Sequence, residues 1–257
     1  MAFNTPAEVA AAVTNMGKTK ADLPIATMII MGIFAGAYIG FGAELCTMIL
    51  TGTAPALGVG VAKLLGGSVF SVGLILVVIG GAELFTGNNL MIIGMVSGKI
   101  TAKEVAVNWF FVYTANFIGS MLLVYMMYKS SLWTTGGNLN AATALGIAVG
   151  KVNLSFEQAF WRGVGCNWLV CLAVWLAVAA KDVGGKILGI YFPIMAFVAS
   201  GYEHCIANMY FIPYGIFLKN DAALTEVVAG FGAKADALTW SGFVVNNLVP
   251  VTLGNIV

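Results

Sequence analysis

Apolar positions along the chain gather into six long segments, at about 25–50, 61–96, 105–128, 156–180, 187–218 and 238–257. Glycine-rich or charged connectors separate them: TGTAPALGVG, SGKITAKE, SSLWTTGGNLNAAT, KDVGGK and LKNDAALTEVVAGFGAKAD. About 20 apolar residues suffice for a helix to cross the hydrocarbon of a bilayer. The pattern therefore predicts an all-α membrane protein with six transmembrane helices. The second and fifth segments exceed one crossing, and polar runs interrupt both. Residues 81–92 read GAELFTGNNLMI and residues 201–212 read GYEHCIANMYFI, with glycine, glutamate, asparagine and isoleucine at the same four offsets.

The halves match in order. The broken second helix aligns with the broken fifth, and Trp109 and Asn116 have the same seven-residue spacing as Trp240 and Asn247. Three crossings per half is an odd number, so the second half enters from the opposite side. Inverted repeats with discontinuous helices at matching places point to a transport route near the midplane. The expected organisation is a tail or amphipathic helix over 1–24 and one channel domain over 25–257. Its repeats run from about 25 to 128 and from about 156 to 257.

Composition narrows the class. Of 257 residues, 60% are hydrophobic and 9% charged, with a mean hydropathy of +0.94. Soluble domains carry about a quarter charged residues. A net charge of +1 without a basic stripe excludes nucleic acid as a partner. Cys46, Cys166, Cys171 and Cys205 lie within apolar runs and read as small buried hydrophobes. No metal or cofactor is expected: the one histidine cannot make a bis-histidine haem site, and HExxH and paired intramembrane aspartates are missing. A membrane enzyme is thereby disfavoured. An aquaporin-like channel for neutral solutes is the alternative, although the sequence has no NPA pair.

Residues 1–20 are mixed and lack the apolar stretch of a signal peptide. Thr5, Pro6 and Glu8 instead form a helix start with a capping box. Phe3, Ala7, Ala10 and Val13 then share a face, which predicts a short helix lying on the membrane surface. Lys18, Lys20, Lys99, Lys103, Lys181 and Lys186 favour both termini on the cytoplasmic side.

The breaks carry the chemistry. Gly81, Gly87 and Gly201 supply the backbone freedom of a sharp turn. Glu83 and Glu203 are placed to accept from free N–H groups at the restarting half-helices, and Asn88 and Asn208 to satisfy further backbone groups. Two positions break the symmetry: Leu84 corresponds to His204, and Thr86 to Ile206. An intramembrane ionisable group is costly and marks function, so His204 is assigned to the route, with Thr86 as a hydroxyl donor. Half-helix N-termini, a hydroxyl and an imidazole suit a small monovalent anion.

The runs ELFTGNN, RGVGCNWLVCLAVW, ASGYEHCIANMYFIPYGI and NNLVPVTLGNIV closely resemble the signatures of the formate/nitrite transporter family. The resemblance covers nearly the whole chain. It implies an aquaporin-like protomer, a homopentamer with one pore per protomer, and passage of formate, nitrite or hydrosulfide across the cell membrane. It further implies that Thr86 lies on the loop breaking the second helix and that His204 is the central pore histidine. Leu74, Leu84 and Phe197 would form a cytoplasmic-side constriction, and Phe70, Val170 and Leu188 an outer one. Asn167 would reach the pore between them, and Lys151 would bias the outer vestibule toward anions. Members of that family continue past the GNI motif, whereas this sequence stops at Val257.

Overall fold

A computed structural model describes residues 3–257; Met1 and Ala2 of the expected tail lie outside the described residues. Among the described residues there is no strand. The helices are α1 (Pro6–Ala21), α2 (Ile25–Leu50), α3 (Thr53–Leu57), α4 (Val59–Gly80), α5 (Phe85–Asn88), α6 (Met91–Val96) and α7 (Ala102–Lys129). After a glycine-rich turn come α8 (Leu139–Val152), α9 (Phe156–Ala179), α10 (Val183–Ser200), α11 (Cys205–Lys219), α12 (Thr225–Ala229) and α13 (Val249–Ile256). A π-helix over Gly242–Leu248 leads into α13. Helices α2, α4, α7, α9 and α10 are long and apolar enough to cross a membrane, while Gly242–Ile256 is shorter. Large apolar side chains such as Phe34, Phe110, Leu122, Trp168 and Phe192 point outward. A surface of this kind suits lipid or a second membrane-embedded chain rather than water.

Small residues set the packing. Gly32, Gly36 and Gly40 of α2 repeat at four-residue spacing and face α7. A Cβ on Gly36 would stand 2.0 Å from the carbonyl oxygen of Asn116, and one on Gly119 1.9 Å from that of Ile33. The two backbones therefore touch, as small-residue seams between membrane helices allow. Helices α9 and α13 meet in the same manner: a Cβ on Gly254 would lie 2.1 Å from the Phe160 oxygen.

Two expectations about the helices outside the spans change. The predicted capping box of α1 is present, with the Thr5 N–H donating to Glu8 at 2.6 Å and the Glu8 N–H to Thr5 Oγ1 at 3.4 Å. Its buried side is Val9, Val13, Thr14 and Gly17, and it packs on α6 rather than lying free, with Phe3 56% exposed. Gly17 faces Met91 and Gly94 of α6, where an added Cβ would make ordinary contact at 3.6 Å. The stretch between the third and fourth segments is likewise more than a connector. It holds α8, whose buried Ala141, Ala144, Leu145 and Ala148 dock on α11. The interhelical turn uses Gly136, Gly137 and Asn138, all at positive φ, and once past it alanine and leucine sustain a helix.

Candidate functional site

Both breaks are built alike. Helix α4 ends at Gly80, Gly81 takes φ 81°, Leu84 is extended, and α5 starts at Phe85. Helix α10 ends at Ser200, Gly201 takes φ 81°, His204 is extended, and α11 starts at Cys205. Such φ values favour glycine. The exposed backbone groups find partners on neighbouring helices, as burial demands. Phe85 N–H donates to Asn116 Oδ1 at 3.0 Å, and the Asn116 amide donates to the carbonyls of Glu83 (2.9 Å) and Gly32 (2.8 Å). In the second half, Cys205 N–H donates to Asn255 Oδ1 at 2.9 Å, and Asn255 donates to the carbonyls of Glu203 (3.0 Å) and Gly163 (2.8 Å).

The glutamates do something other than cap. Glu83 pairs with Lys20 at 2.6 Å and accepts from Asn88 at 2.7 Å. Glu203 pairs with Lys151 at 2.9 Å and accepts from Asn208 at 2.7 Å. Asn88 also donates to Asn108 Oδ1 (2.8 Å), and Asn208 to Asn247 Oδ1 (2.7 Å). Those two asparagines donate in turn to the backbone oxygens of Lys20 (3.2 Å) and Lys151 (3.1 Å). Each network thus ties a flanking helix, a break and a neighbouring helix together, α1 with α7 in the first half and α8 with the π-helix in the second. The carboxylates bind lysine because α1 and α8 bring an ammonium to them, and Asn116 of α7 and Asn255 of α13 cover the free N–H groups instead.

These contacts correct the register of the repeat. Asn247 is the counterpart of Asn108, and Asn255 of Asn116; Trp240 and Asn247 are not the counterparts of Trp109 and Asn116. Both true pairs are separated by 139 residues, while Lys20 and Lys151, like Gly32 and Gly163, are separated by 131. Lys20, Asn108 and Asn255 carry no local mark in the sequence. Their equal eight-residue asparagine spacing was the available signal.

A cavity opens at each break. The first, about 210 Å³, is lined by Lys63, Lys151, Glu203, His204, Phe70 and Phe197 among others. The second, about 220 Å³, is lined by Lys20, Lys186, Glu83, Leu74 and Leu84 among others. They share no lining residue: the buried Phe70 and Phe197 line the first, and the buried Leu74 and Leu84 the second. Phe197 belongs with Phe70, edge to face at a centroid distance of 5.6 Å, not with Leu74 and Leu84 as expected. The reason lies in α10, which runs from the second cavity at Lys186 to the first at Gly201 and carries Phe197 to the far end. Leu188 sits near the start of that helix, 59% exposed on its flank, and is away from Phe70. Val170 is buried inside α9 and lines neither cavity.

His204 is buried and stacks on Phe197 at 5.9 Å. Its Nδ1 accepts from Ala207 N–H at 3.0 Å, capping α11, and its Nε2 lies 2.9 Å from Thr86 Oγ1. An Nδ1 used as acceptor leaves the ring proton on Nε2, so Nε2 donates to Thr86 Oγ1. The Thr86 hydroxyl proton is then available to another acceptor. Asn167 does not join this pair: its amide donates to the Asn255 carbonyl at 2.5 Å, in a separate hollow beside α13. Lys151 is held by Glu203 rather than offered freely to the vestibule. The cysteines are free thiols, and among the described residues no group of three His, Cys, Asp or Glu side chains could hold a metal ion.

The profile of the formate/nitrite transporter family matches residues 7–257. The chain belongs to the formate/nitrite transporter family. It is 44% identical over 270 residues to a probable formate transporter of Methanothermobacter thermautotrophicus, covering 99% of this chain and 92% of that one. It is 38% identical to the formate channel BtFdhC of Bacillus thuringiensis, covering 100% of this chain and 92% of the relative. Its structure superposes on a pentameric formate channel with formate bound with a TM-score of 0.83 and 42% identity, over 90% of this chain and 91% of that chain. As a family member with apolar helices of crossing length, the chain is a multi-pass membrane channel for small monovalent anions and not an enzyme.

Proposed function

We propose that this chain conducts formate across the cell membrane through a passage within each protomer of a homopentamer. In this reading the chain crosses six times, inverted between halves, which puts both termini on one side, and Lys18, Lys20, Lys99, Lys103, Lys181 and Lys186 favour the cytoplasmic one. Nitrite and hydrosulfide are further substrates of the same chemistry, being small and monovalent. The observation that carries this reading is the pair of lysine-bearing cavities, one at each break, each lined by buried apolar side chains, with His204 in the lining of the first and bonded to Thr86 of the other break. An anion passing such apolar side chains loses water and needs replacement donors. The Thr86 hydroxyl proton, freed by the Nε2 donation of His204, is one.

This arrangement favours His204 as a hydrogen-bond donor over His204 as a proton carrier. Forming an imidazolium requires a proton on Nδ1, and that breaks the Ala207 cap. The test is uptake of labelled formate into proteoliposomes at two pH values. The variants are Thr86→Val and His204→Phe, with nitrite, hydrosulfide and water-driven swelling run alongside. Both variants are expected to slow formate at least tenfold, the loss of about one hydrogen bond to a charged group. Wild-type rates in either variant would remove the pair from the mechanism. Swelling without anion uptake would favour a neutral-solute channel.

A further inference from the structure

The lysine nearest the imidazole need not be the one that draws in anions. Lys151 forms a 2.9 Å ion pair with Glu203, and Lys20 a 2.6 Å pair with Glu83. At a distance each pair presents a dipole with no net charge, and its pull on an approaching ion fades faster than that of a lone charge. Yet each cavity holds a second lysine. Lys63 lines the first and Lys186 the second. Glu203 and Glu83 are the acidic residues among the linings, and both are already matched. Among the described residues neither Lys63 nor Lys186 forms a salt bridge.

Their placement is alike. Lys63 lies in the second turn of α4 and Lys186 in the first turn of α10, so both stand at the outer rim of a broken helix. Lys63 Nζ reaches back over the opposite break, 3.9 Å from where a Cβ on Gly201 would sit. Lys186 Nζ donates to the Ala177 carbonyl at 2.8 Å, a neutral acceptor that fixes its position without cancelling its charge. We infer that Lys63 and Lys186 are the anion-capturing residues of the two mouths, and that Lys151 and Lys20 serve as counter-ions holding the breaks. The inference rests on the anion-channel reading and adds which side chains supply its attraction.

The test compares wild type, Lys63→Gln, Lys63→Arg and the double variant Lys63→Gln/Lys186→Gln in proteoliposomes. Initial uptake of labelled formate is measured below saturation at low and at about 1 M ionic strength, where screening acts within about 3 Å. One charge a few ångströms from a hydrated ion is worth about threefold. The single glutamine variant is expected to lose about that at low salt and the double variant more. The arginine variant restores the rate, and the differences close at high salt. The half-saturating concentration rises more than the maximal rate falls. Both glutamine variants matching wild type at low salt, or a loss that persists at high salt, would overturn the inference while wild-type conduction stands. Wild-type vesicles no faster than protein-free ones overturn the channel reading and the inference with it.

Discussion

Asparagine is the residue that makes these breaks possible. Asn116 and Asn255 each meet three backbone groups that a severed helix leaves without partners, and both are fully or almost fully buried. No hydrophobic replacement can do this, and aspartate keeps the acceptor while losing both donors. Asn255→Ala is expected to destabilise the protein by about 3 kcal/mol, with Asn255→Asp in between, since each buried group left unpaired costs about 1–3 kcal/mol. Denaturant unfolding in detergent measures it; a melting curve unchanged by the alanine variant would show that water replaces the amide. The paired motifs around Gly81 and Gly201 were legible in the sequence, because the residues that shape a turn lie beside one another. The partners were not. Lys20 is 63 residues from Glu83, and Asn255 is 50 residues from Cys205, so nothing local joins them. Matching tryptophans set the halves out of register because the two indoles do different things: Trp109 donates to the Asn88 carbonyl at the first break, whereas Trp240 is 46% exposed and packs on Phe243.

Among the elements, the long apolar helices followed from their composition, but the packing between them followed from its exceptions. The α2–α7 seam closes because Gly36 and Gly119 let main chain meet main chain. It also carries Asn116 to the first break. Gly36→Val is therefore expected to reduce folded yield and lower the melting temperature more than Gly60→Val, a position where an added Cβ meets nothing within 4 Å. Detergent-solubilised yield and a thermal melt would read the difference, and equal behaviour of the two variants would refute the seam. Helix α8 escaped the hydrophobic count because its glycine-rich approach and alternating alanines read as a connector. Only its docking on α11 shows it to be the counterpart of α1. Outside the spans, the Thr5 N–H and hydroxyl donate to Glu8 and hold its carboxyl below the usual carboxylate value. A depressed carboxylate supports the fold above its ordinary value and loses that support as pH falls through the depressed one. The start of α1 is thus secured at neutral pH and loosened in acid, and Thr5→Ala should move that titration upward in an NMR experiment.

For the whole molecule, the two ends carry the same equipment: one lysine–glutamate pair, one asparagine couple and one further lysine. An ion arriving from either face meets a similar potential before it reaches the breaks. Such a route has no built-in slope. Net flow is then expected to follow whatever concentration and voltage lie across the bilayer. Current–voltage curves recorded in equal salt on both faces of a planar bilayer are expected to be close to symmetric about zero. Strong rectification would mean that the imidazole and the Thr86 hydroxyl, neither of which has a twin in the other half, decide direction.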